Sequence, residues 1–149
     1  MSPITRIAMQ TRARAAAVDL VTDYAASAGV QLQVYPARPR SIAPPTAFVD
    51  RIRETLTEYT VATRQRVPTV EMIVLWGRLD DLEAVTQKDE FVDGFLDWVA
   101  DRYHAIAPDT LVSVTRTEDI PNYIPDWLPP EQQRSYYATQ ISLEGFAAT

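Results

Sequence analysis

Cysteine is absent from the 149 residues, and histidine occurs once, at His104. The first absence removes disulfides, thiolate metal sites and cysteine nucleophiles together. The second leaves few ways to hold a transition metal and one side chain that titrates near neutral pH unaided. An all-carboxylate metal site stays open, but no calcium-loop spacing occurs. Glycine is scarce and scattered, at Gly29, Gly77, Gly94 and Gly145, whereas a backbone phosphate cradle usually needs glycines clustered. No G-x-S-x-G elbow, P-loop, dinucleotide fingerprint or H-E-x-x-H is present. No apolar run approaches the roughly 20 residues needed to cross a bilayer. Met1 to Gln10 lacks the basic and then apolar layout of a signal peptide. The expectation is a protein that folds in a cytoplasm, with no cofactor, no metal and no catalytic residue.

What is present suits one globular domain over residues 1–149: 46% hydrophobic and 23% charged residues, with a net charge of −6. The charge is uneven. Residues 1–68 carry nine arginines against five acids, which makes that part +4 and the rest −10. The acidic total argues against tight nucleic-acid binding, which draws on neutralised phosphates. The asymmetry serves either solubility or subunit docking.

Ser2-Pro3 opens a predicted helix to about Ser27, with Ile4, Ile7, Ala8, Thr11, Ala15, Val18, Val21 and Ala25 at helical spacing and Gly29 as its stop. A short strand follows at Gln31–Tyr35. Four prolines between Pro36 and Pro45 dictate a stiff, extended segment. Ala47–Val49 returns to strand chemistry. Residues 51–66 suit a helix or a strand by period, and their four threonines favour strand. Val67-Pro68 is expected to interrupt it. Val70–Trp76 follows as a strand in which Ile73-Val74-Leu75-Trp76 has no polar alternation, so it belongs at the sheet centre, covered on both faces. Gly77 ends it, and Arg78–Gln87 reads as a polar connection with room for one helical turn.

A second helix is predicted from Lys88 or Asp89 to about Ala107, where Pro108 stops it. Phe91, Phe95, Trp98, Val99, Tyr103 and Ile106 form its apolar face. Asp89, Glu90 and Asp93 would then lie in its first turn and favour its dipole. A strand from Leu111 to about Thr117, an irregular Pro-aromatic stretch from Glu118 to Gln133 and a closing strand Arg134–Phe146 complete the chain. Tyr137, Thr139, Ile141 and Leu143 share one parity of that strand. The plan is α+β: a single mostly antiparallel β-sheet, two main helices packed on one face, and extended Pro-rich loops.

Three groups of residues stand out. Asp89, Asp93, Asp97 and Asp101 recur at i, i+4 and repel by a few tenths of a kcal/mol per pair. The row is either a solvated face or one that meets a basic neighbour, for which Arg38, Arg40, Arg64 and Arg66 are the candidates. Pro121–Pro130, with Tyr123 and Trp127, is either a partner-binding arm or a loop plugged into its own core by Trp127. The chain without Asn122–Leu128 is predicted to remain a folded monomer, as an arm requires; loss of the fold itself would support the plug instead. His104, near the end of the second helix, reads as a surface or capping residue.

Four stretches carry a resemblance: Pro44-Pro45-Thr46-Ala47-Phe48-Val49-Asp50, Pro68 through Gly77, Lys88 through Val99, and Tyr136 through Gly145. In this order and spacing the chain resembles tail-terminator and related minor tail proteins of siphophages, over about residues 5–146. The resemblance implies a structural virion protein at the head–tail junction, made in the host bacterial cytoplasm. It would form a homo-hexameric ring on the major tail tube protein, end tube polymerisation and offer a surface to a head-completion or connector protein. DNA would pass through without specific binding. Neck proteins that join head to tail share the design, so a joining or connector-completion role is the nearest alternative. A small cone-shaped α+β ligand-binding or metal-free enzyme domain is the alternative from another class, with Arg116, Tyr123, Asp126 and Tyr136 lining its pocket.

Overall fold

The computed structural model describes residues 6–58, 64–78, 82–101 and 111–145. Helix α1 (Arg6–Ala28) leads into strands β1 (Gln33–Tyr35), β2 (Thr46–Glu58) and β3 (Arg64–Arg78). Helix α2 (Leu82–Asp101), strand β4 (Leu111–Tyr123), a 3-10 turn at Pro130–Gln132 and strand β5 (Tyr136–Gly145) follow. Among the described residues the strands form one five-stranded sheet in the order β1-β2-β3-β5-β4. The β1–β2 pair is parallel and the other pairs are antiparallel, so the α+β plan with a mostly antiparallel sheet holds.

β3 sits at the middle of the sheet, and Val70 to Trp76 are all buried. Its side chains alternate between two clusters. Val70, Met72, Val74 and Trp76 join Ala47, Val49, Ile141 and Leu143, together with Ala13, Ala17 and Val21 of α1 and Phe91, Phe95 and Val99 of α2. Ile73 and Leu75 join Phe48, Tyr136 and Ala138, over which Ile42 and Trp127 of the Pro-rich loops and Tyr123 at the end of β4 are packed. The lack of polar alternation in this strand follows from having a cluster on each side. On β5, Thr139, Ile141 and Leu143 are buried on the parity that the sequence picks out, with Tyr137 half-buried beside them.

α1 ends as its glycine dictates. Gly29 has φ 72°, its N–H donates to the Ala26 carbonyl, and the Val30 N–H reaches back to Ala25. This pair of bonds satisfies carbonyls that the last turn would otherwise leave open. The buried stripe differs from the expected one: Thr11 and Ala15 are exposed, while Ala13, Ala17, Val21, Tyr24 and Ala25 face inward. Alanines all round this helix give its periodicity little contrast. The side chains of Ile4, Ile7 and Ala8 lie outside the described residues.

Other boundaries also differ. Pro68 does not interrupt a strand; it pairs with Glu54 inside β3. Among the described residues the β3–β5 ladder begins at Thr69, so β3 has a neighbour on one side at Pro68, where a missing N–H is tolerated. Among the described residues, the pairs from Glu54↔Pro68 to Glu58↔Arg64 continue the β2–β3 hairpin as a two-stranded ribbon. α2 begins at Leu82, not Lys88, because Leu82, Glu83, Ala84 and Gln87 are good helix formers and Ala84 is buried on the face of Phe91. Asp89, Glu90 and Asp93 are therefore inside the helix, and Glu83 is the acid of its first turn. β4 runs on through residues 118–123, read as irregular; it is an edge strand with a register shift between Ile120 and Tyr123, where Pro121 is accommodated. β5 starts at Tyr136 and not Arg134. The expected helix end near Ala107, with Tyr103, His104, Ile106 and Pro108, lies outside the described residues.

Candidate functional site

The Pro-rich segments meet over one end of the second cluster. Trp127 donates from Nε1 to the Pro39 carbonyl at 2.8 Å, and its ring meets Phe48 edge-on at 5.3 Å between centroids. Tyr123 stands 6.3 Å from Trp127 and 6.4 Å from Phe48. The Arg38 guanidinium lies 5.0 Å over the Trp127 ring and pairs with Asp50 at 3.1 Å. Burial, then the Asp50 charge, pushes the Tyr123 phenol up to about 12, against the opposing pull of Arg38. Leu128 is buried in the same region. Of the two readings of Pro121–Pro130, this geometry is the plug: Trp127 closes the core of its own chain.

The candidate arginines are dispersed. Arg38 is engaged in that cap, and Arg40 is exposed in the same loop. Arg64 and Arg66 occupy β3 positions paired with Glu58 and Leu56, and their side chains lie outside the described residues. Asp89, Asp93 and Asp97 are all exposed along α2. Asp89 is held by Lys88, whose Nζ also bonds Asp119 at 3.1 Å and lies 5.8 Å from the Tyr137 ring centroid. Burial lowers the Lys88 pKa, but the Asp89 and Asp119 hydrogen bonds outweigh it and the net shift is upward. Asp119 in turn accepts from Thr139 at 3.3 Å, and Thr139 accepts from Trp76 Nε1 at 3.0 Å. This chain of bonds ties α2 to the sheet. Asp93 and Asp97 form no ion pair among the described residues.

A second charged group escapes a linear reading. Glu71 is a lone acid in the central strand, with 7% of its side chain exposed. Arg51 and Arg53 both reach it through Nε, Arg53 at 2.8 Å, and remain 56% and 57% exposed. β2–β3 register places Arg51 opposite Glu71 and Arg53 opposite Thr69. The group shares strand parity with Ile73 and Leu75, so it lies on the sheet face that holds the second cluster. Ser142 is its buried neighbour on β5, and Arg116, opposite Ser142 on β4, pairs with Glu118 at 3.0 Å. A single acid in an apolar strand and two arginines two residues apart were the available signal. Their meeting depends on a register 20 residues apart.

The residues of the pocket alternative do not converge. Tyr136 is buried opposite Tyr123, but Arg116 pairs six residues further along β5, roughly 20 Å away at strand rise. Asp126 is exposed. A groove of about 530 Å³ opens between the end of α1 and the Pro-rich loop, lined by Thr22, Ala25, Val30, Leu32, Pro45 and Gln87 among others. Among the described residues no ionisable side chain lines it; they offer apolar surface and amides. Among the described residues no His, Asp and Glu cluster has metal-site geometry, and no helix is long and apolar enough to cross a membrane.

No protein-family model matches the chain, and no curated protein matches it.

Proposed function

We propose that this protein is a structural subunit of a phage particle, a tail-terminator-like ring component at the head–tail junction. In this role six copies close on the end of the tail tube, stop addition of tube protein and give the filled head, through its completion protein, a surface to join. DNA passes through the ring unbound, and the protein performs no chemistry.

The observation that carries the reading is the layout of charge. Exposed carboxylates run along α2, whose apolar side joins the first cluster, while the exposed arginines at Glu71 lie on the face of the second cluster. A ring of identical subunits needs such a heterologous pair of patches, one meeting a different one on the next copy. The resemblance of the four stretches in order and spacing adds the place, the end of a siphophage tail.

Electron microscopy of particles made without this gene tests the reading. Overlong tails beside unjoined filled heads are expected. Tails of normal length that fail to join heads would instead assign a joining protein, and normal virions would overturn the phage-structural reading.

A further inference from the structure

The group formed by Arg51, Glu71 and Arg53 has the features of a preorganised carboxylate receptor. Two guanidiniums, each more than half exposed, are fixed by one buried carboxylate. Glu71 engages the Nε of each, and with more than half of each side chain exposed both guanidiniums are open to a second acceptor. Two cations on one anion leave the group with a surplus positive charge. Fixing both side chains in advance lowers the ordering cost of a later contact.

The chain itself carries a matching pair of anions. Asp93 and Asp97 are exposed and form no ion pair among the described residues. They stand four residues apart on α2, about 6 Å along a helix. Arg51 and Arg53 stand two residues apart on β2, about 7 Å along a strand. The spacings agree to about 1 Å. Leu96, exposed between the two aspartates, adds apolar surface beside the charges. The two pairs belong to opposite clusters of one chain, so they can meet only between copies.

We infer that the Arg51–Glu71–Arg53 group binds Asp93 and Asp97 on α2 of a second copy of this chain. The inference rests on the ring reading and names its contact. Each subunit presents a receptor on one layer and its ligand on the other, so the contact repeats from copy to copy.

The absence of cysteine makes the test clean. Thr69 pairs with Arg53 and carries no charge, so Thr69→Cys marks the receptor without altering it. Leu96→Cys marks the helix, and Glu131→Cys on the exposed 3-10 turn is the control. Full-length single-cysteine variants, each checked for an unchanged melting transition, are mixed at high protein concentration and oxidised. Expected is a Thr69→Cys with Leu96→Cys cross-link forming at least about tenfold faster than either cross-link to the control, as a raised effective concentration requires. Asp93→Asn with Asp97→Asn on the helix partner should bring the rate down to the control. So should Arg51→Gln, Arg53→Gln and Glu71→Gln made together on the other partner, which leaves no buried carboxylate unpaired. A rate no higher than the control, or one indifferent to both sets of changes, would overturn the inference. Overlong tails without the cross-link would keep the ring and discard this contact; the cross-link with normal virions would do the reverse.

Discussion

The Tyr24 hydroxyl occupies the space that a side chain on Gly94 would need: a Cβ there would lie 2.1 Å from its oxygen. A glycine in a helix interior costs about 1 kcal/mol relative to alanine. Here it lets Tyr24 reach under α2, edge-on to Phe91 at 4.8 Å and beside Phe95 at 5.4 Å. Gly94→Ala should therefore destabilise the protein by about 1–2 kcal/mol, with overpacking outweighing the gain in propensity. Tyr24→Phe removes the offending atom and leaves the ring carbon at 3.3 Å as the nearest neighbour. Urea unfolding of the two single variants and the double variant checks this. The alanine must cost less in the phenylalanine background.

The Trp127 plug predicts the consequence of cutting it out. Deleting Asn122–Leu128 removes Tyr123 and Trp127 from the second cluster, takes out the buried Leu128 and bares Phe48. The monomer should lose its cooperative thermal transition. Trp127→Ala alone, at a half-buried site, should cost about 2 kcal/mol, below the roughly 3–5 kcal/mol of a fully buried tryptophan. A truncated chain that melts as the parent does would restore the arm reading.

Stability should fall in alkali. The Tyr123 phenol is pushed up to about 12 from 10, chiefly by burial, and burial also raises Tyr24 and Tyr137. Such a group binds its proton more tightly folded than unfolded. Its contribution is complete below pH 10 and is lost as pH climbs to about 12. Denaturation midpoints measured across this window should decline, and Tyr123→Phe should flatten part of the decline.

Lys88 couples α2 to β4 through Asp119. Lys88→Met keeps much of the stem and removes the charge, leaving Asp119 with Thr139. A loss of about 1–2 kcal/mol is expected, since both acids it holds are about half exposed and keep their water. Hydrogen exchange should show faster opening of α2 before the rest of the fold. Unchanged protection there would mean that packing alone holds the helix.

Legibility in the sequence followed physical contrast. Ile73–Trp76 announced a covered central strand because nothing polar broke it, and the β5 parity was plain because Thr139, Ile141 and Leu143 alternate with Gln140, Ser142 and Glu144 in the sequence. Gly29 marked the end of α1 through its backbone alone. The buried stripe of α1 was obscured by alanines on every side. The start of α2 was hidden because Ala84 is its one buried residue before Phe91. The prolines misled in both directions, since Pro68 and Pro121 occupy strand positions with an unpaired side or a register shift. The aspartate row could be seen in one dimension. Its counterpart at Glu71 could not, because a strand register decides it.

The sheet order also governs how the protein can be made. β5 is inserted between β3 and β4, so it joins strands that precede it in the chain. While a ribosome is still short of Tyr136, β3 has an open edge and β4 has no partner in the sheet order. The nascent chain thus carries its most apolar strand half-paired until nearly all of the described residues have emerged. Such an edge is a template for pairing with another chain. Yield in the cell should then depend on how long synthesis dwells before β5, a sensitivity to translation speed rather than to the stability of the finished fold.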